Sequence, residues 1–248
     1  MPPVTTTLKL VLALVLLTVL VSIMILMLIP LMPWRVLRIR LTNKSGTLIG
    51  RSMMWISRCP ITIEGREHIQ KDLPALFVGN HTSILDAFTS IWVCPPSTAG
   101  VAKKEVLYYP FYGQVWMLSG HLCIDRSNLQ RAKESLRKLG EVVRKHGLNI
   151  WMWPEGTRSK DGRLLPLKKG FVHLAIQTGL RIAPVVTTGT HRAMEKSSLR
   201  VRKVPIHIKS LPTIDTSNWG LETVDKHVEQ LRQAFIDALP ADQQPLPA

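Results

Sequence analysis

His81 and Asp86 stand five residues apart in the run Asn80-His81-Thr82-Ser83-Ile84-Leu85-Asp86. A histidine held by a carboxylate is a general base with a fixed tautomer. Two residues five apart within one regular helix point about 140° away from each other and pair poorly. The pair therefore needs the histidine just before a helix and the aspartate within its first turns. The flanking residues supply that arrangement. Leu76-Phe77-Val78 is an apolar run that reads as a buried strand. Ser83 offers an N-cap, and Ile84, Leu85, Ala87, Phe88 and Ile91 suit the helix that follows. A strand-to-helix turn is where open α/β sheets place their ligands. With eight histidines in the chain, one such spacing decides nothing by itself.

A second stretch with chemical potential is Pro154-Glu155-Gly156-Thr157-Arg158-Ser159, just past the apolar run Leu148 to Trp153. Gly156 lets backbone approach a ligand, and Thr157 and Ser159 add hydroxyls. Arg158 is suited to grip a phosphate through two parallel hydrogen bonds. Glu155 is placed to orient Arg158 or to hold a substrate hydroxyl. In isolation, a surface turn with a Glu–Arg pair accounts for this loop as well. Lys103 and Arg126 also end predicted strands. Three strand ends that each deliver a cation, beside one that delivers a histidine, describe an anionic-substrate pocket.

These residues need a scaffold, and the pattern provides one. From Ile61 onward, short apolar strands alternate with helices. Leu129, Ala132, Leu136, Leu139 and Val143 recur at helical spacing, and Gly147 stops that helix. Ile182 to Thr187 and Val201 to Ile208 read as strands, and Val224, Val228, Leu231 and Phe235 mark a last helix. The fold class is α/β: a single domain with a mixed, largely parallel sheet flanked by helices, over residues 61–239. Residues 240–248 are polar and proline-rich and are expected to be disordered.

The first 60 residues have a different character. No charge occurs from Leu10 to Trp34, a run long enough to enter or cross a bilayer as a helix. Pro30 and Pro33 end it, and Trp34 suits an interface. A cleaved signal peptide has a shorter apolar core and a small-residue cleavage site; Pro30-Leu31-Met32-Pro33-Trp34 is a poor one. Residues 1–34 are therefore read as a retained membrane helix. Arg35, Arg38, Arg40 and Lys44 follow closely, which assigns the rest of the chain to the cytoplasmic face of the inner membrane. Residues 35–60 alternate cations with large apolar groups and contain no acid. That suits either the headgroup region of an anionic leaflet or a helix packed on the domain.

Composition agrees with an anionic partner. The formal net charge is +15 over 248 residues. A membrane-tethered binder of nucleic acid or acidic lipid would explain the charge but not His81 and Asp86. A nucleic-acid binder also wants aromatics interleaved with its cations, and Phe, Trp and Tyr total only 6%; no nucleic-acid partner is expected. Cys59, Cys94 and Cys123 form no metal or disulfide pattern, which indicates a reducing compartment. No metal ligand set accompanies the His–Asp pair.

Four blocks, taken together and in order, carry a family resemblance. They are Asn80-His81-x-Ser83-x-x-Asp86, Gly120-x-x-Cys123-Ile124-Asp125-Arg126, Trp153-Pro154-Glu155-Gly156-Thr157-Arg158-Ser159 and Ile182-Ala183-Pro184-Val185. The chain resembles the glycerolipid acyltransferases of the HxxxxD type. Within them it is most similar to bacterial 1-acylglycerol-3-phosphate acyltransferases, which make phosphatidic acid. It departs from the usual pattern at Cys123, where an aromatic is usual, at Trp153, where Phe is usual, and at Arg181, where Pro is common. None of these removes a reactive group; the first two bear on the wall facing the acyl chain.

The resemblance implies an O-acyltransferase of phospholipid synthesis. His81 would take the proton of the sn-2 hydroxyl of lysophosphatidic acid, and Asp86 would hold the imidazole. Arg158, with Lys103 or Arg126, would hold the phosphate, with Glu155, Gly156 and Thr157 in the same site. The resemblance implies no metal or cofactor, and acyl-CoA or acyl carrier protein as the co-substrate. Membrane lipids are the remaining partners. Another lysolipid, or glycerol 3-phosphate itself, is the alternative acceptor.

Overall fold

A computed structural model describes residues 4–109, 112–125, 127–198 and 200–246. Seven strands form one sheet in the order β1-β7-β6-β2-β5-β3-β4. They are β1 (Ile61–Glu64), β2 (Ala75–Gly79), β3 (Thr98–Lys103), β4 (Leu122–Ile124), β5 (Asn149–Met152), β6 (Arg181–Thr188) and β7 (Ile206–Ser210). From β6 to β4 every neighbouring pair is parallel. β7 runs antiparallel to β6, and β1 runs parallel to β7. The sheet is thus mixed and mostly parallel, as the alternation of elements implies.

β2 lies in the middle and is buried at all five positions. Its side chains alternate between two apolar layers. Leu76 and Val78 pack with Leu136, Leu139 and Val143 of α6 (Leu129–His146), with Phe171 and Leu174 of α7 (Gly170–Thr178), and with Leu231 and Phe235 of α9 (Val224–Ala238). Phe77 faces the other way, toward Leu85 of α4 (Leu85–Val93), Met54, Trp151 and Val185. A strand covered on both faces is continuously apolar, which is why Leu76-Phe77-Val78 is legible in the sequence. The remaining helices are α3 (Arg66–Lys71), α5 (Tyr112–Ser119) and α8 (Thr190–Ala193).

Residues 4–57 form two helices joined by a short turn. α1 (Val4–Leu28) continues into a 3-10 turn at Ile29–Leu31 with Pro30 near its start. Val11–Leu31 is long and apolar enough to cross a membrane, and only 11% of it is buried. α2 (Arg35–Ser57) then runs back along α1: Met24 and Leu28 of α1 and Ile49, Met53 and Ile56 of α2 belong to one apolar cluster, with Leu16, Leu17 and Leu20 packed against it. The other face of α2 lies on α4. Gly46 meets the Ile91 side chain, and at Gly50 a Cβ would collide with the Phe88 carbonyl oxygen. Of the two readings of residues 35–60, packing on the domain holds for this face. Three arginines that follow the apolar run are fastened to the domain. Arg35 Nε donates to the Gly120 carbonyl at 2.9 Å, Arg38 to that of Leu118, and Arg40 to Ser97 Oγ at 3.0 Å.

Two expectations need correction. β7 begins at Ile206 rather than Val201. Residues 201–205 make no ladder; Arg202 N–H donates to the Ala193 carbonyl, and Pro205 has no N–H to give. The segment after Pro240 is not disordered through residue 246. Leu164 N–H donates to the Gln243 carbonyl at 2.9 Å, Gln244 Nε2 donates to the Ile236 and Leu239 carbonyls, and Arg192 pairs with Asp242. Its polar side chains find partners on the domain, which composition does not reveal.

Candidate active site

The site is built at the carboxyl ends of the parallel strands. After β2, Asn80 clamps the neighbouring strand: its Oδ1 accepts Thr187 N–H at 2.8 Å and its Nδ2 donates to the Thr187 carbonyl at 2.9 Å. The next residue is His81. Its Nδ1 lies 3.0 Å from Asp86 Oδ2, and Asp86 is 2% exposed. The same oxygen accepts the N–H groups of Thr82 (2.6 Å) and Ser83 (2.8 Å). Asp86 therefore closes the first turn of α4, where a negative charge is favoured. Ser83 serves the turn too, with Oγ accepting Leu85 N–H at 3.3 Å and donating to the Met194 carbonyl at 2.6 Å. Asp86 Oδ1 is buried and has no hydrogen-bond partner among the described residues.

An ionised carboxylate only accepts, so Nδ1 carries the imidazole proton and Nε2 presents a lone pair. Trp153 fixes the ring from one face, stacked at 4.4 Å between centroids and 14° between planes. The ring is thus held by hydrogen bond through Nδ1 and by stacking, which leaves Nε2 outside the pair with Asp86.

The Pro154–Ser159 loop grips the His81 backbone. Glu155 Oε1 accepts His81 N–H at 2.6 Å, and Ser159 N–H donates to the His81 carbonyl at 2.9 Å. Glu155 Oε2 accepts Leu165 N–H at 3.1 Å, and the residue is 2% exposed. This corrects the reading of Glu155: with both oxygens on backbone donors it does not orient Arg158, and it ties the His81 turn to the chain at Leu165. Burial pushes its carboxyl up to about 8, against the two backbone donors that favour the charge. Gly156 is required by its backbone, which is left-handed at φ +71°.

Thr157 is exposed and Arg158 half-buried. The Arg158 guanidinium has no hydrogen-bond or ion-pair partner among the described residues. Its carbonyl accepts from Lys196 Nζ at 2.6 Å, and the same ammonium stands 3.5 Å from Thr157 Oγ1. Lys196 was missed by sequence reasoning. Its only signal is a cation-rich stretch with Arg200, Arg202 and Lys203 that no motif claims. Lys103 ends β3 and is exposed. Two strand spacings separate β3 from β2, roughly 10 Å, so Lys103 stands on the same edge of the sheet. Lys104, next to it, is occupied by Asp125 at 3.5 Å. Arg126 lies outside the described residues.

The block from Gly120 to Asp125 holds structure. His121 Nδ1 accepts Gly100 N–H at 3.2 Å, and burial, with Arg35 nearby, pushes its imidazole down to about 4, so the ring is neutral. Asp125 is held down to about 2, chiefly by hydrogen bonds from Ser127.

Residues 60–188 match the Acyltransferase family. The chain is 47% identical over 220 residues to a 1-acyl-sn-glycerol-3-phosphate acyltransferase of Limnanthes douglasii, covering 89% of this chain and 78% of that one. It is 36% identical over 150 residues to the Escherichia coli protein of the same name, covering 60% of each. The fold is shared with the 1-acyl-sn-glycerophosphate acyltransferase PlsC of Thermotoga maritima, at a TM-score of 0.66, 24% identity and 79% coverage of both chains. The chain belongs to the acyltransferase family.

Proposed function

We propose that this acyltransferase moves a fatty acyl group from a thioester donor to the sn-2 hydroxyl of 1-acylglycerol 3-phosphate, giving phosphatidic acid. The observation that carries the reading is the His81–Asp86 pair, joined through Nδ1, beside a loop whose Arg158 has no partner among the described residues. The names of the relatives support the acceptor.

His81 Nε2 takes the acceptor's hydroxyl proton as the oxygen attacks the thioester carbonyl. The imidazolium that forms is held by Asp86 and faces the Trp153 ring. Collapse of the tetrahedral adduct expels the donor's thiolate, which recovers the proton from His81. Arg158, with Lys103 on the same sheet edge, binds the phosphate monoester. The donor is a thioester of CoA or of acyl carrier protein, and the reaction draws on no metal or cofactor. The apolar face of α1 seats the enzyme in a bilayer, on the cytoplasmic face, where its cations meet anionic headgroups.

Purified protein is assayed with a labelled thioester and three acceptors: lysophosphatidic acid, a lysolipid with its phosphate esterified, and glycerol 3-phosphate. Fastest transfer to lysophosphatidic acid is expected. Faster transfer to either of the others moves the acceptor, and no transfer to any removes the catalytic reading.

A further inference from the structure

Away from the catalytic turn, a trough opens between α1, the second half of α2 and the end of α4. Leu8 and Leu12 of α1, Met54 and Ile56 of α2 and Trp92 of α4 line it, and its volume is about 870 Å³. Arg51 and Arg58 are also part of its lining. Arg51, Trp55 and Arg58 lie at i, i+4 and i+7 of α2 and the turn that ends it, so they share one side. Both arginines are exposed, and Trp55 between them is 77% exposed. The Arg51 guanidinium stands 5.7 Å from the centroid of the Trp92 ring. Neither arginine has a carboxylate within ion-pair distance among the described residues, and no acid lines the trough.

A trough of hydrocarbon side chains with two unmatched planar cations has the chemistry of one ligand class. We propose that it is a binding site for an anionic glycerophospholipid of the leaflet, one acyl chain in the trough and the phosphate on Arg51 and Arg58. Guanidinium groups match phosphate oxygens in pairs, and an exposed tryptophan between them suits the level where chain meets headgroup. Basic pockets beside membrane helices select anionic lipids in this way. The site is separate from the reaction: α4 has Asp86 in its first turn and Trp92 near its other end, roughly 9 Å further along the axis. The two sites are mechanically connected, because α2 rests on α4 between them. A bound lipid braces α2 against the helix that presents Asp86. The inference rests on the bilayer seat proposed above.

The full chain, purified in neutral detergent, is incubated with an equimolar mixture of dioleoyl phosphatidylglycerol and dioleoyl phosphatidylcholine and examined by native mass spectrometry. One retained phosphatidylglycerol per chain is expected, favoured over phosphatidylcholine roughly tenfold or more, since each cation contributes on the order of 1 kcal/mol. The double variant R51Q/R58Q should lose that preference while keeping acyl transfer near the wild-type rate in lipid-free micelles. Equal retention of both lipids by the wild type overturns the site, leaving only apolar contact. Unchanged selectivity in the variant does the same. So does loss of transfer by the variant in micelles, which would give the cations to the fold or the reaction. A dimer mass that the variant abolishes gives the face to a second copy of this chain. If the intact protein fails to sediment with vesicles of any composition, the bilayer seat itself is what fails.

Discussion

One carboxylate oxygen organises the turn that carries His81. Asp86 Oδ2 receives the His81 ring and two backbone N–H groups, so the same charge that holds the base also shapes the turn. His81→Ala should abolish transfer in a protein that still folds. Asp86→Asn should lower kcat by roughly 10²–10⁴, because the amide holds the ring less well and stabilises its cation less. Turnover near normal in folded His81→Ala ends this mechanism. Arg158 is the proposed phosphate ligand. Truncating one partner of a desolvated charge pair costs on the order of 2–5 kcal/mol, so Arg158→Ala should raise KM for lysophosphatidic acid strongly and change little for a phosphate-free acceptor. Arg158→Lys should recover only part. An equal loss for both acceptors would make the residue structural. Glu155 adds a pH dependence. Its carboxyl is raised from an ordinary value near 4.5 to about 8 in the fold. Between those values the folded state holds a proton that the unfolded state has released, so this group's contribution to stability falls as pH rises from about 4.5 to 8 and is flat beyond. Thermal melts of the wild type across that range should show the slope, and Glu155→Gln should flatten it. The His–Asp pairing was legible because a spacing of five demands a break before the helix. The role of Glu155 was not: both its partners are backbone N–H groups, one of them ten residues further along the chain, and no residue type announces them.

At the scale of elements, the contact that matters most for the site is α2 on α4. Helices approach closely where small residues replace side chains at the contact. Gly46 and Gly50, one turn apart, face α4, but they are not equivalent. A Cβ at Gly46 would sit 3.5 Å from Ile91 Cβ, an ordinary contact, whereas one at Gly50 would meet the Phe88 carbonyl. Alanine in a helix is worth about 1 kcal/mol over glycine. Gly46→Ala should therefore hold or raise the melting temperature. Gly50→Ala should lower it, since forcing extra carbon into a tight contact costs about 1–3 kcal/mol, and it should slow transfer by shifting the helix that presents Asp86. Equal effects of the two would mean that α2 and α4 slide freely. Strands and helices with continuous or periodic apolar patterns were readable from residue types alone: β2, β5, α6 and α9 are where the pattern puts them. The start of β7 and the path after Pro240 depend on long-range backbone partners, Pro60 for Ile206 and Leu164 for Gln243, and sequence carries no local mark of either.

For the whole molecule, the question is what α1 does. Its composition suggests a tether that carries the chain into a bilayer, yet it folds back along α2, and α2 lies on the catalytic domain. α1 is thus an outer layer: Met24 and Leu28, with Leu16, Leu17 and Leu20, share an apolar cluster with Ile49, Met53 and Ile56 of α2, while Leu14, Leu26 and other large side chains face outward. Removing residues 1–34 takes away that outward surface but leaves the cations of α2 and uncovers the apolar residues beneath. The truncated chain should therefore still bind vesicles containing anionic lipid, more weakly than the intact protein. Its binding should fall with salt, because exposed charges separated by more than about 8–10 Å are screened at physiological ionic strength, whereas the intact protein should stay bound in high salt and need detergent for release. Co-sedimentation of both forms with anionic and zwitterionic vesicles, at low and high salt, measures this directly. A truncated chain that is freely soluble at low salt in the presence of anionic vesicles would mean that α2 has no membrane role and that α1 alone makes the contact. Retention of the truncated chain by zwitterionic vesicles in high salt would mean that the uncovered apolar face, rather than the cations, dominates the second layer.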